Sequence, residues 1–167
     1  MAQERTIISC GVYLFNSENK LLLEHPTGHK SNVWTIPKGR MDEGETDYFE
    51  VAKRELFEET NVNLNNLNII RKEEFDLIRY RETNKYLKGF FVRVDSDLSD
   101  IELGCESMVY RNGVPSFPEV DGYKWVTIDE AKLVLNEFQM ANLDKCNVMI
   151  SERMKYIIEF KNYKNRF

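Results

Sequence analysis

The chain of 167 residues has the length of one ordinary domain, and its apolar content of 42% is sufficient for a packed core. Its formal net charge of −5 argues against a protein whose whole surface follows nucleic acid, because phosphate neutralisation needs an excess of Lys and Arg. Three scattered cysteines and two histidines indicate neither a disulfide framework nor a Cys/His zinc site. The apolar stretch near the N-terminus is too short for a signal peptide or a membrane span, so we expect a soluble, cytoplasmic protein with no membrane partner.

The first part of the chain is rich in strand signals. Residues 6–15 and 20–24 are apolar and lie on either side of a polar cluster, which predicts a β-hairpin. Residues 33–36 form a short extended segment that a proline ends. Segment 38–45 is interpreted as a turn, because it holds two glycines among charged residues.

A helix is expected over about 47–60. Asp47 is followed three positions later by Glu50, the spacing of a capping box at a helix N-terminus. Apolar residues then recur at helical spacing, and Asn61 tolerates the left-handed conformation that ends many helices.

The second half of the chain predicts further strands and two C-terminal helices. The strand candidates are 67–70, 75–80, 88–94, 108–111 and 125–126. Asn112-Gly113 is the strongest short hairpin signal in the chain. One helix is expected at 129–135 and a longer one from about 143 to 161.

Both C-terminal helices carry further signals. The cap of the first is Thr127 or Asp129. The apolar side of the second is expected to contain Cys146, Ile150, Met154, Ile157 and Ile158. With no repeat or linker to divide the chain, we expect a single α/β domain over 1–167, with a mixed sheet and helices on both faces.

Three carboxylates on the central helix point to chemistry. Glu55, Glu58 and Glu59 have i, i+3, i+4 spacing, so their side chains project from one helix face and repel one another. A hard divalent cation such as Mg²⁺ or Mn²⁺, which takes oxygen ligands and binds phosphate-bearing substrates, explains such crowding most simply. The alternative is a solvated acidic helix face without a ligand.

The sequence GRMDEGETDYFEVAKRELFEETNV at 39–62 resembles the Nudix box. That pattern is a Gly, five residues, a Glu, seven residues, and then Arg-Glu-apolar-any-Glu-Glu-any-Gly-apolar. Here Gly39 and Glu45 begin the match, and Arg54 begins its helical part. Asn61 stands where the family has Gly, a substitution that a helix terminus tolerates.

The second departure from the box is an extra residue. Eight residues separate Glu45 from Arg54 instead of seven. An extra residue inside the helix would rotate the carboxylates by about 100° relative to the preceding segment. We expect Thr46 or Asp47 to take it up in the loop before the helix, which leaves the role of Glu45 open.

The resemblance, which covers roughly residues 7–135, implies a Nudix-type α/β/α sandwich with a mixed sheet and a loop-helix-loop catalytic motif. It implies hydrolysis of a pyrophosphate bond, with Mg²⁺ or Mn²⁺ as cofactor. Glu58 and Glu59 would be metal ligands, together with the backbone carbonyl near Lys38-Gly39. Glu55 would hold water or act as the base, and Arg54 would orient a box carboxylate.

Members of the family often use one more carboxylate from a loop outside the box. Glu119, just before the last predicted strand, is our first candidate for this role. Glu102 and Glu106 are weaker candidates. The alternative for Glu119 is an ordinary exposed loop residue.

The substrate must be inferred from residues outside the box. WTIPKGR at 34–40, Tyr80 with Lys85, and the series Glu119, Tyr123 and Trp125 resemble the diadenosine tetraphosphate (dinucleoside polyphosphate) hydrolase branch. Adenine stacks on aromatic rings, and a polyphosphate chain attracts basic side chains such as those of Arg79, Arg81, Lys85 and Lys88. The substrate-binding candidates are Lys38, Arg40, Tyr80, Lys85 and Tyr123.

Several alternatives remain open at this point. Strand packing would equally explain the two tyrosines, and a charged hairpin surface would explain the basic stretch. Hydrolysis of ADP-ribose, NADH or a nucleotide-sugar, or of an RNA 5′ cap, would use the same box. A non-catalytic nucleotide-binding module ranks last, because every box residue needed for catalysis is present. The expected partner is a small nucleotide or an RNA 5′ end, and the oligomeric state is open.

Overall fold

The computed structural model describes residues 4–166, apart from the side chains of 153–157. The strands are β1 (Ile7–Phe15), β2 (Leu21–Pro26), β3 (Lys38–Arg40), β4 (Ile69–Glu74), β5 (Ile78–Arg79), β6 (Lys85–Val94), β7 (Met108–Arg111), β8 (Val114–Pro118) and β9 (Val120–Val126). The helices are α1 (Tyr48–Thr60), α2 (Ile128–Ala131), α3 (Glu137–Met140) and α4 (Leu143–Lys164), with a 3₁₀ turn at Leu64–Asn66.

Seven strands form one mixed sheet in the order β4-β6-β1-β2-β9, with β3 paired to β1 and β5 to β6. Strand β1 is parallel to β6 along its whole length. Because β6 occupies one edge of β1, strands β2 and β3 share the other edge. Strand β2 meets β1 only where Phe15 faces Leu21, so the predicted hairpin is a tight turn whose strands then separate.

The sheet separates two apolar cores. Cys10, Val12 and Leu14 of β1 face α1. The alternate residues Tyr13 and Phe15 face the other side, where α2, α3 and α4 lie. This alternation is the period of two expected of a strand buried on both sides. The expected mixed sheet with helices on both faces is confirmed.

Helix α1 begins and ends close to the predicted positions. The Asp47 side chain accepts hydrogen bonds from the backbone N–H groups of Phe49 and Glu50. Glu50 pairs with Lys53 at 2.7 Å, and the described hydrogen bonds include no return bond from its side chain to the cap. Asn61 ends the helix with a φ of 67°, the left-handed conformation that its side chain tolerates.

Several predicted boundaries are wrong. Strand β4 lies at Ile69–Glu74 instead of 67–70, and the segment expected as a strand at 75–80 contributes only β5. At the interruption, the Phe75 ring is buried in the core that contains α4 residues, and the Phe75 carbonyl accepts from the Lys88 side chain instead of a backbone N–H. Strand β6 begins at Lys85, and the segment interpreted as a turn contains β3.

The remaining elements agree more closely with the sequence. Strands β7 and β8 form a separate hairpin whose turn residues Asn112 and Gly113 have φ values of 52° and 76°, as a type I′ turn requires. Thr127 caps α2 in a reciprocal capping box with Glu130. The short helix α3 was not predicted.

The apolar side of α4 is confirmed in part. Cys146 is buried and Ile150 packs beside it, but Ile158 is 53% exposed. The side chains of Met154 and Ile157 lie outside the described residues. None of the described helices is both long and apolar enough to cross a membrane.

Candidate active site

The three carboxylates of α1 differ in their exposure. Glu55 and Glu59 are only 7% and 5% exposed, because their positions turn toward the sheet beside the buried Leu56. The Glu58 side chain is 38% exposed and lies at the edge of the site. One helix face therefore presents two buried carboxyl groups and one that solvent reaches.

Gly39 brings the backbone of β3 against the Glu55 carboxyl group. Pairing of β3 with β1 places Gly39 opposite Cys10, a residue of the core that contains the buried side of α1. A Cβ on Gly39 would overlap with the carboxyl atoms of Glu55, so a side chain here would displace Glu55. The glycine at the start of the box is required for this close approach.

Arg54 joins three carboxylates. Its guanidinium donates to Glu45 at 2.9 and 3.0 Å, to Glu55 at 2.8 Å and to Glu58 at 3.1 Å. Glu45 thus reaches Arg54 in spite of the extra residue, and α1 begins directly after Asp47, the residue that caps it. The predicted orienting role of Arg54 agrees with these contacts.

Glu59 is anchored by the segments on either side of it. Its Oε2 accepts a hydrogen bond from the Lys38 backbone N–H at 2.9 Å. Its backbone carbonyl accepts one from the hydroxyl of Tyr123 in β9. Burial, and after it the neighbouring charge of Glu24, raises the pKa of the Glu59 carboxyl well above its usual range.

Glu55 has a pKa suited to proton transfer. Burial raises the pKa of its carboxyl to about 7, Arg54 opposes that shift, and the charges of Glu58 and Glu119 add to it. A carboxyl with this pKa can accept a proton from water near neutral pH.

Comparison with known proteins places this geometry in a family. The NUDIX domain profile matches residues 5–145. The chain belongs to the Nudix family.

Individual relatives agree with this assignment. An RNA pyrophosphohydrolase of Pelagibacter ubique is 26% identical over 143 residues, which are 78% of this chain and 82% of that protein. An RNA pyrophosphohydrolase of a Psychrobacter species is 31% identical over 130 residues, 70% of this chain and 68% of that protein. The C. elegans Ap4A hydrolase structure, at 20% identity, matches with a TM-score of 0.63 over 86% of this chain and 98% of its own, and shows the same fold.

The protein is therefore a Nudix hydrolase that acts on pyrophosphate bonds, and its family generally uses divalent metal ions. Among the described residues, no three His, Cys, Asp or Glu side chains are grouped in an arrangement ready to hold a metal. Arg54 is inserted between Glu45, Glu55 and Glu58 instead. The carboxylate oxygens of this Nudix site nevertheless match what Mg²⁺ and Mn²⁺ prefer.

One site residue was missed by the sequence reading. Glu24 of β2 is 2% exposed, and its carboxyl lies within hydrogen-bonding reach of the Glu59 carboxyl. Burial raises its pKa to about 8, whereas the bond to Glu59 and the charge of Lys38 lower it. The signal that could have found it is the glutamate that ends the apolar run Leu21-Leu22-Leu23.

Glu119 lies in the same region as the box carboxylates. Its charge raises the pKa of both Glu24 and Glu55, behind the larger effect of burial. Its backbone is fixed by Thr27 and Ser107, which bond to its carbonyl and its N–H. The role of Glu119 as the further carboxylate stays a prediction.

The two weaker candidates touch α1 through their backbones. The Glu106 N–H donates to the Glu58 carbonyl at 2.7 Å. The Glu102 carbonyl accepts from the Asn61 side chain at 3.0 Å. Both side chains are exposed.

The proposed substrate-binding residues fall into two groups. Lys38 and Tyr123 contact Glu59 directly, and Arg40 lies on the same strand as Gly39. Tyr80 packs edge-on against Phe138 of α3, with ring centroids 4.8 Å apart. Lys85 belongs with Tyr80, whose N–H donates to the Lys85 carbonyl at 2.9 Å. The described contacts do not join Tyr80 and Lys85 to the box carboxylates.

The predicted basic stretch near Lys85 is smaller than expected. Lys88 is buried, and its ammonium group donates to the Phe75 carbonyl at 2.6 Å. Arg81 forms an ion pair with Glu137 at 2.7 Å. Lys85 at the start of β6 and Arg79 in β5 are exposed, so both remain basic candidates, and Lys88 is excluded as a surface contact.

A cavity of about 560 Å³ opens beside the Nudix box loop. Arg5 and Arg40 line it together with Glu45, the carboxylate to which Arg54 donates. Asp42 and Glu43 line it as well, so its acidic side chains outnumber its two arginines.

Proposed function

We propose that this protein hydrolyses a pyrophosphate bond within the polyphosphate chain of a nucleotide, with Mg²⁺ or Mn²⁺ as its cofactor. The observation that carries the proposal is the face of α1 that presents Glu55, Glu58 and Glu59, with Glu55 against Gly39 and Arg54 bonded to Glu55 and Glu58. Glu58 and Glu59 would hold the cation. When bound, a divalent cation neutralises phosphate oxygens and increases the acidity of nearby water.

The other side chains of the site would have separate roles in the reaction. Glu55 would take the proton of the attacking water, since its raised pKa of about 7 lies close to neutral pH. Arg54 fixes the orientation of Glu55 and Glu58 through its two bonds to them. Glu119 would act as a further acidic group that faces the substrate.

Diadenosine tetraphosphate is the first substrate candidate. Its support is the resemblance of WTIPKGR and of Tyr80, Lys85 and Tyr123 to the dinucleoside polyphosphate hydrolase branch. Lys85 is exposed and free to reach a phosphate chain, and the ring of Tyr123 lies beside Glu59. In this reading Lys38 and Arg40 contact phosphates near the cleaved bond.

An RNA 5′ end is the second candidate. Its support is that relatives 26% and 31% identical over most of their lengths carry the name RNA pyrophosphohydrolase. A triphosphorylated 5′ end presents the same chemistry as a dinucleoside polyphosphate, a nucleoside joined to a phosphate chain.

We further propose that the chain acts as a single cytoplasmic domain over 1–167.

A substrate panel tests the proposal. Purified protein is incubated with diadenosine tetraphosphate, triphosphorylated RNA, ADP-ribose, NADH or dNTPs, with Mg²⁺, Mn²⁺ or EDTA, and the products are identified by chromatography. We expect cleavage of at least one polyphosphate substrate that stops in EDTA and in Glu58→Gln. Turnover that persists in EDTA would contradict the metal role, and tight binding without cleavage would favour a non-catalytic module.

A further inference from the structure

Glu24 occupies a position where strands normally carry apolar side chains. It is the fourth residue of β2, after three leucines that are all fully buried. Leu21 and Leu23 lie in the core that contains α2 and α4 residues, whereas Leu22 packs into the core beneath α1. Side chains alternate along a strand, so Glu24 projects to the same side as Leu22, toward the box helix.

The carboxyl group of Glu24 lacks a neutralising partner. It lies within hydrogen-bonding reach of the Glu59 carboxyl, which is itself acidic. Among the described residues, no N–H or hydroxyl group donates a hydrogen bond to Glu24 Oε2. A carboxylate this deeply buried costs several kcal/mol unless a cation or hydrogen-bond donors compensate it.

The neighbours that could compensate Glu24 are already engaged. Tyr123, directly across the β2-β9 pair, gives its hydroxyl proton to the Glu59 carbonyl. Thr35, which forms an isolated bridge with Glu24, donates its hydroxyl proton to the Ile36 carbonyl. Apart from the interaction with Glu59, the charge of Lys38 is the favourable effect that the described residues exert on the Glu24 carboxylate.

We propose that Glu24 is a metal-ligating carboxylate from outside the box, which binds the divalent cation together with Glu59. This inference rests on the proposed metal-dependent function. Its observations are the burial of Glu24, the orphaned Oε2 atom and the contact with Glu59. A divalent cation would supply the positive charge that the two facing carboxyl groups lack.

Direct measurement of metal binding tests this role apart from catalysis. Mn²⁺ is titrated into the full chain without substrate, and free Mn²⁺ is measured by electron paramagnetic resonance. We expect Glu24→Gln to weaken Mn²⁺ binding by about tenfold or more, as loss of a ligand charge should. Glu24→Asp keeps the charge and should retain part of the affinity. Glu18→Gln, in an exposed turn, is the matched control and should bind as wild type does.

Melting temperatures distinguish a metal-binding role of Glu24 from a purely structural one. Glutamine has nearly the same shape and can donate a hydrogen bond to Glu59, so it preserves packing and position. If Glu24 binds the metal, the melting temperature of Glu24→Gln in EDTA should stay unchanged or rise, while the increase in melting temperature that Mn²⁺ produces becomes smaller. Wild-type Mn²⁺ affinity in Glu24→Gln would overturn the proposal. Wild-type protein that binds Mn²⁺ but cleaves no substrate would instead reject the proposed function.

Discussion

The backbone of Gly39 lies so close to the Glu55 carboxyl group that the two leave no space for a side chain at position 39. Gly39→Ala should therefore displace Glu55 and lower kcat by about 100-fold, the usual effect of a misplacement of about 1 Å at a reacting centre. Steady-state kinetics measure this change. Gly104→Ala is the control, because a Cβ there meets no atom and should leave kcat intact. An equal kcat for the two variants would show that catalysis does not depend on the position of the Glu55 carboxyl group.

Arg54 should stabilise the fold as well as orient the site. Arg54→Gln leaves Glu45, Glu55 and Glu58 to repel one another, and we expect a loss of about 1–3 kcal/mol in the free energy of unfolding in EDTA. Mg²⁺ should restore part of this loss, because it also neutralises carboxylates.

The control for this experiment is Arg81→Gln, which removes an exposed ion pair with Glu137. Such pairs contribute about 0–1 kcal/mol. Chemical denaturation of both variants, with EDTA and with Mg²⁺, provides the comparison. A loss no larger in Arg54→Gln than in Arg81→Gln would count against the bridging role.

His25 and Asp121 should give the protein a local pH dependence. The hydrogen bond to Asp121, and after it the Lys30 carbonyl, raises the pKa of His25 above its ordinary value of 6.5. A raised histidine pKa means that the folded state binds the proton more tightly than the unfolded state does. The contribution of His25 to the free energy of unfolding is therefore complete below pH 6.5 and is lost as the pH rises through the pKa of the folded state. Asp121→Asn should lower the His25 pKa, as nuclear magnetic resonance titration of the ring would measure. An unchanged titration would reject this pairing.

Lys85 tests the proposed polyphosphate subsite. Lys85→Ala should raise KM for diadenosine tetraphosphate about fivefold, the effect of losing about 1 kcal/mol of charge interaction. ADP-ribose has a shorter phosphate chain and should be affected less. Lys161→Ala, on the exposed end of α4, serves as the control for general charge effects. Equal changes in KM for the two substrates would remove Lys85 from the subsite.

Local sequence signals predicted the elements whose determinants are local. Helix α1 has its cap at Asp47 and its left-handed end at Asn61, and both residues act through neighbours within a few positions. The hairpin at Asn112-Gly113 likewise needs only two positive φ angles. The acidic face of α1 follows from helix periodicity alone.

Long-range pairing was beyond the sequence. The parallel match of β1 with β6 joins residues almost eighty positions apart in the chain, as Ile7 with Lys85. Once β6 takes one edge of β1, the apparent hairpin can pair only at its turn. Glu24 was overlooked for the same reason, because its importance depends on its nearness to Glu59, a residue distant in the chain.

Diffraction from crystals soaked in MnCl₂, collected near the manganese absorption edge, tests the central claim most directly. We predict one strong anomalous peak among the carboxylates of Glu55, Glu58 and Glu59, and its loss in a Glu59→Gln crystal. A structure in which these side chains keep their contacts with Arg54 and Lys38, with no anomalous peak near them, would contradict the claim that this helix face binds the metal.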